Sequence, residues 1–189
     1  MITQAELTAL DWIQAHLRSG AMDAVMQVIT LFGEYGVFWI LLALGLLIYP
    51  RTRKLGLAMV FALLLDVVLC NGILKPLVAR PRPYTWRPEL EVIRQMRDYS
   101  FPSGHTAAAF AGTFALLGMR CRGWIPALAL SILIGVSRLY LYMHFPTDVL
   151  CGAIVGIVCG LAGAFLAKRC WKAWEARKSG GEKSLPKKG

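Results

Sequence analysis

Acidic residues are few in this sequence and histidines fewer: 11 Asp and Glu stand against 21 Lys and Arg, with three His. So little imidazole and carboxylate leaves no cluster with metal-ligand spacing. Five cysteines are present, but none lies at the short interval from another that a zinc motif needs. Cys70, Cys151 and Cys159 fall inside apolar runs, and Cys121 and Cys170 among basic residues. Free thiols are therefore expected, and a disulfide framework is not. The chain does not open on a basic start, apolar core and small-residue cleavage site, so no cleaved signal peptide is expected. No internal repeat is visible. Charge is almost missing from the long apolar runs. With 57% hydrophobic residues and a mean hydropathy of +0.53, an ordinary soluble domain is excluded.

What is present reads as a membrane protein. The 189 residues suit one domain. Apolar runs cover 36–50, 55–78, 104–119, 124–143 and 147–168, and a weaker one, with Asp23 and Gln27, covers 21–32. A hydrocarbon core takes about 20 helical residues, so the shorter runs must borrow from their flanks. The expected fold is all-α, a polytopic transmembrane helical bundle of about six spans. Residues 1–20 read as an amphipathic interfacial segment, with Leu7, Leu10, Ile13 and Leu17 set against Gln4, Glu6, Asp11 and Arg18. Residues 21–168 form the transmembrane domain, and 169–189 a basic tail whose last ten residues read as disordered.

The formal charge of +10 is distributed in loops and the tail, which fits a membrane and anionic head groups and not nucleic acid. Arg51, Arg53 and Lys54, then Arg120 and Arg122, then the tail fall on one side if the spans alternate. The positive-inside rule makes that side cytoplasmic, C-terminus included. Trp124, Trp171 and Trp174 are then expected at the inner interface, and Trp39 and Trp86 at the outer. The opposite side receives 33–35, 79–103 and the turn near 144–147. The 79–103 loop carries Arg80, Arg82, Arg87, Arg94 and Arg97 against Glu89, Glu91 and Asp98. It is positive on the wrong side, as a pocket for a polyanionic head group would be.

Three motifs share that side. Lys75 and Arg82 flank Pro76 and Pro81, with Pro83 following, and these prolines stiffen the backbone. Lys is a mobile point charge and Arg a planar fork for two phosphate oxygens; on spacing alone the reading as snorkelling cations is favoured. Pro102-Ser103-Gly104-His105 precedes a strong helix former. Ser103 is a candidate cap, Gly104 permits close approach of a ligand, and the first amides face any anion above the helix start. His105 stands at that anion's edge, or is an ordinary interfacial histidine. Arg138 precedes His144 and Asp148, which are four residues apart across Pro146. A carboxylate at this reach holds one imidazole nitrogen as donor and leaves the other as a lone pair; a helix-start Asp complementing the dipole is the plainer alternative. His16, in the amphipathic segment, suits an interface. A mechanism without metal or other cofactor fits this set best. Asp66 and Asn71 sit within a span, as functional groups or as bonds between helices. Glu34, Tyr84, Trp86 and Arg87 are placed to shape a head-group site.

In order and spacing, Lys75 to Pro83, Pro102 to His105 and Ser137 to Asp148 resemble the three signature motifs of the type 2 phosphatidic acid phosphatase superfamily. The resemblance covers about 55 to 165. It implies metal-independent phosphoester hydrolysis through a phosphohistidine. By position, His144 would be the nucleophile, Asp148 its orienting partner and His105 the acid for the leaving oxygen. Lys75, Arg82, Ser103, Gly104 and Arg138 would hold the phosphoryl oxygens. Soluble vanadate-dependent haloperoxidases share such a pocket, but the apolar spans argue against that branch.

The expectation is a bacterial membrane lipid phosphatase with its site on the extracytoplasmic side of the cytoplasmic membrane. Undecaprenyl diphosphate is the first substrate by family analogy, followed by phosphatidylglycerol phosphate and phosphatidic acid. A lipid phosphotransferase and a non-catalytic lipid-binding scaffold are the rivals. The sequence is silent on oligomeric state.

Overall fold

Backbone satisfaction in lipid requires helices, and the computed structural model, which describes residues 2–87, 96 and 98–183, contains no strand among them. Eight α-helices are described: α1 (Ile2–Leu17), α2 (Gly20–Leu31), α3 (Val37–Ile48), α4 (Arg53–Asp66), α5 (Lys75–Val78), α6 (Gly104–Gly118), α7 (Trp124–Tyr140) and α8 (Pro146–Lys183). A π-helical stretch, Val67–Leu74, joins α4 to α5. Three stretches are long and apolar enough to cross a membrane: Gly20–Ile48, Arg53–Trp86 and Pro146–Lys178.

The centre is α6, whose residues are mostly small: Ala107, Ala109, Ala111 and Ala115 are fully buried. Along one side runs α8, parallel to it, with glycine at every fourth position. A Cβ on Gly156 would lie 2.3 Å from the Ala107 carbonyl oxygen, and one on Gly160 2.6 Å from that of Ala111. Small residues on both helices let the backbones touch, the usual device where no hydrophobic drive separates helix from lipid. Helix α4 packs antiparallel on α8, its first turn tied by Lys54 Nζ to Glu175 Oε1 at 3.1 Å. Trp39, expected at the outer interface, is instead fully buried on α3. Its ring fills the space left by Gly112, where a Cβ would meet it at 2.4 Å.

The expected count of about six spans is not confirmed, and the first candidate stretch is broken. The stretch 20–48 breaks at Tyr35 and Gly36, whose φ values are 48° and 67°, so α2 and α3 are separate helices. Asp23 Oδ1 accepts from Tyr140 Oη at 2.7 Å, and Thr30 Oγ1 accepts from Arg138 Nη1 at 2.6 Å. Asp23 and Thr30 are about 10 Å apart along α2, yet their partners lie half a turn apart at the end of α7. Helix α2 therefore crosses the end of α7. No residue of α2 is buried, and Val25, Val28 and Leu31 are exposed. Five helices, α3, α4, α6, α7 and α8, run the length of the bundle. On α1 the apolar stripe divides: Leu7 and Leu10 are buried against Tyr142 and Phe145, while Trp12 and Leu17 are exposed. Of the last ten residues, 180–183 continue α8, and 184–189 lie outside the described residues. So do Arg94, Arg97, Glu89 and Glu91 of the long loop.

Candidate active site

Each motif sits at the same end of the bundle because each is a helix end. Lys75 opens α5, just past the π-helical stretch. Arg82 lies in extended backbone between Pro81 and Pro83, which cannot continue a helix. Gly104 and His105 open α6. His144 lies in the turn between α7 and α8, and Asp148 in the first turn of α8. The second motif is tied to the third by backbone: the Ser103 amide donates to the Asp148 carbonyl at 3.0 Å.

A cavity of about 260 Å³ is lined by Lys75, Arg82, Gly104, His105 and His144, together with Gly33, Gly36, Asp66, Asn71 and Asp98. Both imidazoles thus face one space. The His144 side chain is 1% exposed, and its Nε2 lies 3.2 Å from Arg82 Nη1. Its Nδ1 faces Asp148 Oδ2 at 3.7 Å, too long for a direct hydrogen bond. Ser100 fills the gap: its hydroxyl donates to Asp148 Oδ2 at 2.5 Å and lies 3.4 Å from His144 Nδ1. Asp148 Oδ2 also accepts the Phe145 amide at 3.0 Å. Burial pushes the His144 imidazole down to about 3, helped by the Arg82 and Arg138 guanidinium groups and opposed by Asp148. The ring is therefore neutral, with a lone pair.

The cations are held by an internal carboxylate. Arg82 Nη2 donates to Asp98 Oδ1 at 2.6 Å, its Nε to the Asp98 carbonyl at 2.9 Å, and Lys75 Nζ pairs with Asp98 Oδ2. Burial alone would raise the Asp98 carboxyl, but the Lys75 and Arg82 charges hold it at about 2. Gly104 is where Lys75 comes close, since a Cβ there would stand 3.7 Å from Nζ. His105 Nε2 lies 3.3 Å from Glu34 Oε2, and the backbone of Gly33 presses on its ring, where a Cβ would meet Cδ2 at 2.9 Å.

Three expected site residues sit behind the wall. Asp148 and Ser103 are fully buried, and Arg138 reaches Thr30. The capping role expected of Ser103 is not taken. Its hydroxyl turns to Thr106 Oγ1 at 3.0 Å, a neighbouring hydroxyl that competes with the helix amides. Of the residues read as head-group shapers, Glu34 meets His105, Arg87 pairs with Asp11 at 2.9 Å, Tyr84 bonds the Met96 carbonyl, and Trp86 is exposed. Ser100 escaped the sequence reading, and Asp98 and Arg80 entered it only as charges of the 79–103 loop, without individual roles. Ser100 is the one with a signal, two residues ahead of the Pro102–His105 motif. Among the described residues no three His, Cys, Asp or Glu side chains converge as a metal site requires; Lys75 and Arg82 carry the positive charge.

The chain is 31% identical over 137 residues to an undecaprenyl-diphosphatase of Sulfolobus acidocaldarius, covering 71% of this chain and 66% of that one. It is 31% identical over 143 residues to the undecaprenyl-diphosphatase BcrC of Bacillus subtilis, covering 75% and 73%. The crystal structure of a transmembrane PAP2-type phosphatidylglycerolphosphate phosphatase from Bacillus subtilis superposes with a TM-score of 0.71 at 25% identity, covering 91% of this chain and 87% of that one. The model of the PAP2 superfamily matches residues 54–172, which include all three motifs, and the chain is a membrane protein belonging to that superfamily.

Proposed function

We propose that this protein is a lipid phosphatase that hydrolyses undecaprenyl diphosphate through a phosphohistidine on His144. The observation that carries the reading is the shared cavity. Two imidazoles, one backed by a carboxylate, face two cations across a space of about 260 Å³. The relatives named undecaprenyl-diphosphatase support the substrate.

His144 Nε2 attacks the terminal phosphorus, and the bridging P–O bond breaks. The leaving lipid phosphate takes a proton from His105. Water then attacks the phosphorus and gives its proton to His105, the N–P bond breaks, and inorganic phosphate and the free imidazole are released. Asp148, through Ser100, keeps the Nδ1 proton on His144 and stabilises the ring as it gains positive charge. Lys75 and Arg82 replace Asp98 with phosphoryl oxygens, the Gly104 backbone gives them room, and Arg138 and Ser103 support the same anion from behind. The site opens at the end of the bundle opposite the basic loops, the extracytoplasmic side of a bacterial cytoplasmic membrane, with the C-terminus inside. A lipid with its chain in the bilayer and its phosphate at this rim fits that depth. The neighbouring phosphatidylglycerolphosphate phosphatase structure favours phosphatidylglycerol phosphate as the second substrate.

The test is phosphate release by purified protein in detergent from undecaprenyl diphosphate, phosphatidylglycerol phosphate and phosphatidic acid. Undecaprenyl diphosphate should give the highest kcat/KM. Rapid quench should trap an acid-labile, alkali-stable phosphoprotein. His144→Ala should lose that adduct and about a thousandfold or more of the rate. An active His144→Ala variant would remove the nucleophile assignment.

A further inference from the structure

The N-terminal helix reaches the catalytic dyad through two charged side chains that the mechanism above does not use. Arg80 Nη1 donates to Asp148 Oδ1 at 2.7 Å and to Thr147 Oγ1 at 2.8 Å. Its Nη2 donates to Glu6 Oε2 at 2.5 Å. The other Glu6 oxygen accepts from the Thr147 amide at 3.0 Å and from the Thr147 hydroxyl at 2.5 Å. The Glu6 side chain, on an N-terminal helix, is only 7% exposed. The Arg80 guanidinium also lies over Phe145, 3.7 Å from the ring centroid.

We propose that Glu6 and Arg80 are positioning residues for the reaction: the α1 carboxylate fixes Arg80, Arg80 fixes Asp148, and Asp148 thereby aims His144. This rests on the reading of His144 as nucleophile. Both oxygens of Asp148 are then occupied. Oδ2 serves Ser100 and the Phe145 amide on the His144 side, and Oδ1 is clamped from behind by Arg80, so the carboxylate cannot rotate. Glu6 holds the second guanidinium nitrogen, so Arg80 is fixed from both sides between two carboxylates. Glu6 also satisfies an amide in the first turn of α8, where the helix has no acceptor of its own. A separate apolar contact seats the same helix on the same turn. Leu7 and Leu10 bury against Tyr142 and Phe145, on either side of His144, and Asp11 Oδ1 accepts from Tyr142 Oη at 2.6 Å. The site is complete only with α1 docked.

The test uses the full chain in detergent, with phosphate release from undecaprenyl diphosphate, the inhibition constant of vanadate and the melting temperature measured on each variant. Glu6→Ala and Arg80→Ala should each lower kcat at least tenfold, with KM and vanadate inhibition within twofold of the parent. The double variant should be little worse than either single one, as expected of one chain of contacts. Glu6→Gln and Arg80→Lys, which keep an acceptor or a charge and guard against loss of fold, should lower kcat three- to tenfold. Parental kcat in these two conservative variants, a raised KM with kcat intact, or a rate that falls only in step with the folded fraction would each overturn the proposal. His144→Ala separates the two readings. If it is inactive while Glu6→Gln and Arg80→Lys turn over at the parental rate, positioning fails alone; if it is active, the nucleophile reading fails first.

Discussion

At the scale of single residues, the cavity is set for an anion and already contains one. Asp98 occupies the Lys75 ammonium and the Arg82 fork, the two groups best suited to phosphoryl oxygens. A substrate must displace this carboxylate, so Asp98→Asn should tighten vanadate several-fold by removing a competing charge-assisted pair. The pH dependence follows from the depressed carboxyl. With Asp98 held at about 2 in the fold, against about 4 when unfolded, its ion pairs stabilise the protein above the unfolded value and are lost as pH falls through about 2. Across pH 5–8 Asp98 therefore stays ionised, and the ratio of vanadate inhibition constants, parent over Asp98→Asn, should stay flat. An unchanged or weaker affinity in the variant would show that Asp98 assists binding. None of this was legible beforehand. Along the chain Asp98 is one acid in a loop of five arginines, and nothing in spacing tells which charge meets which. The three motifs could be read because their residue types are rare and their chemistry specific: two of only three histidines fall within them.

At the scale of elements, the site depends on how closely α6 and α8 approach. The Ser103–Asp148 backbone bond joins their starts, and the glycines at 152, 156 and 160 keep the helices in contact below it. Gly156→Ala places a methyl carbon 2.3 Å from a carbonyl oxygen that cannot move without its helix. Overpacking of this kind costs about 1–3 kcal/mol, and here it also strains the link between His105 and His144. Gly45→Ala is the matched control, since a Cβ there meets nothing within 4 Å. Thermal unfolding followed by tryptophan fluorescence in detergent should show Gly156→Ala melting several degrees lower and Gly45→Ala at or above the parent. Equal melting of the two would mean that the seam is not tightly packed. The four-residue glycine spacing was open to reading from the sequence. The burial of Trp39 was not, because the room for its ring is made by Gly112, on a helix more than seventy residues later.

At the scale of the whole molecule, hydropathy found the apolar runs but not their direction. Residues 20–31 belong to a stretch, 20–48, that is long and apolar enough to cross a membrane, yet their polar partners Tyr140 and Arg138 hold them across the end of α7. Five traversing helices instead of six change the topology, since an odd number puts α1 and the tail on opposite faces. The basic loops at 51–54 and 120–122 and the tail then share one side, and α1, α2 and the cavity share the other. This arrangement also matches the chemistry, because α1 docks on the turn that carries His144. Cysteine labelling tests it directly. Cys170 is exposed near the tail end of α8, and Ala15 is exposed on α1. In a chain with Cys70, Cys121, Cys151 and Cys159 changed to Ala, a membrane-impermeant maleimide should leave Cys170 unlabelled in intact cells and label it after permeabilisation. With Cys170→Ser and Ala15→Cys, labelling should occur in intact cells. Six spans would put both positions on one face, so matching accessibility of the two in intact cells would rule out the five-helix topology and detach α1 from an extracytoplasmic site.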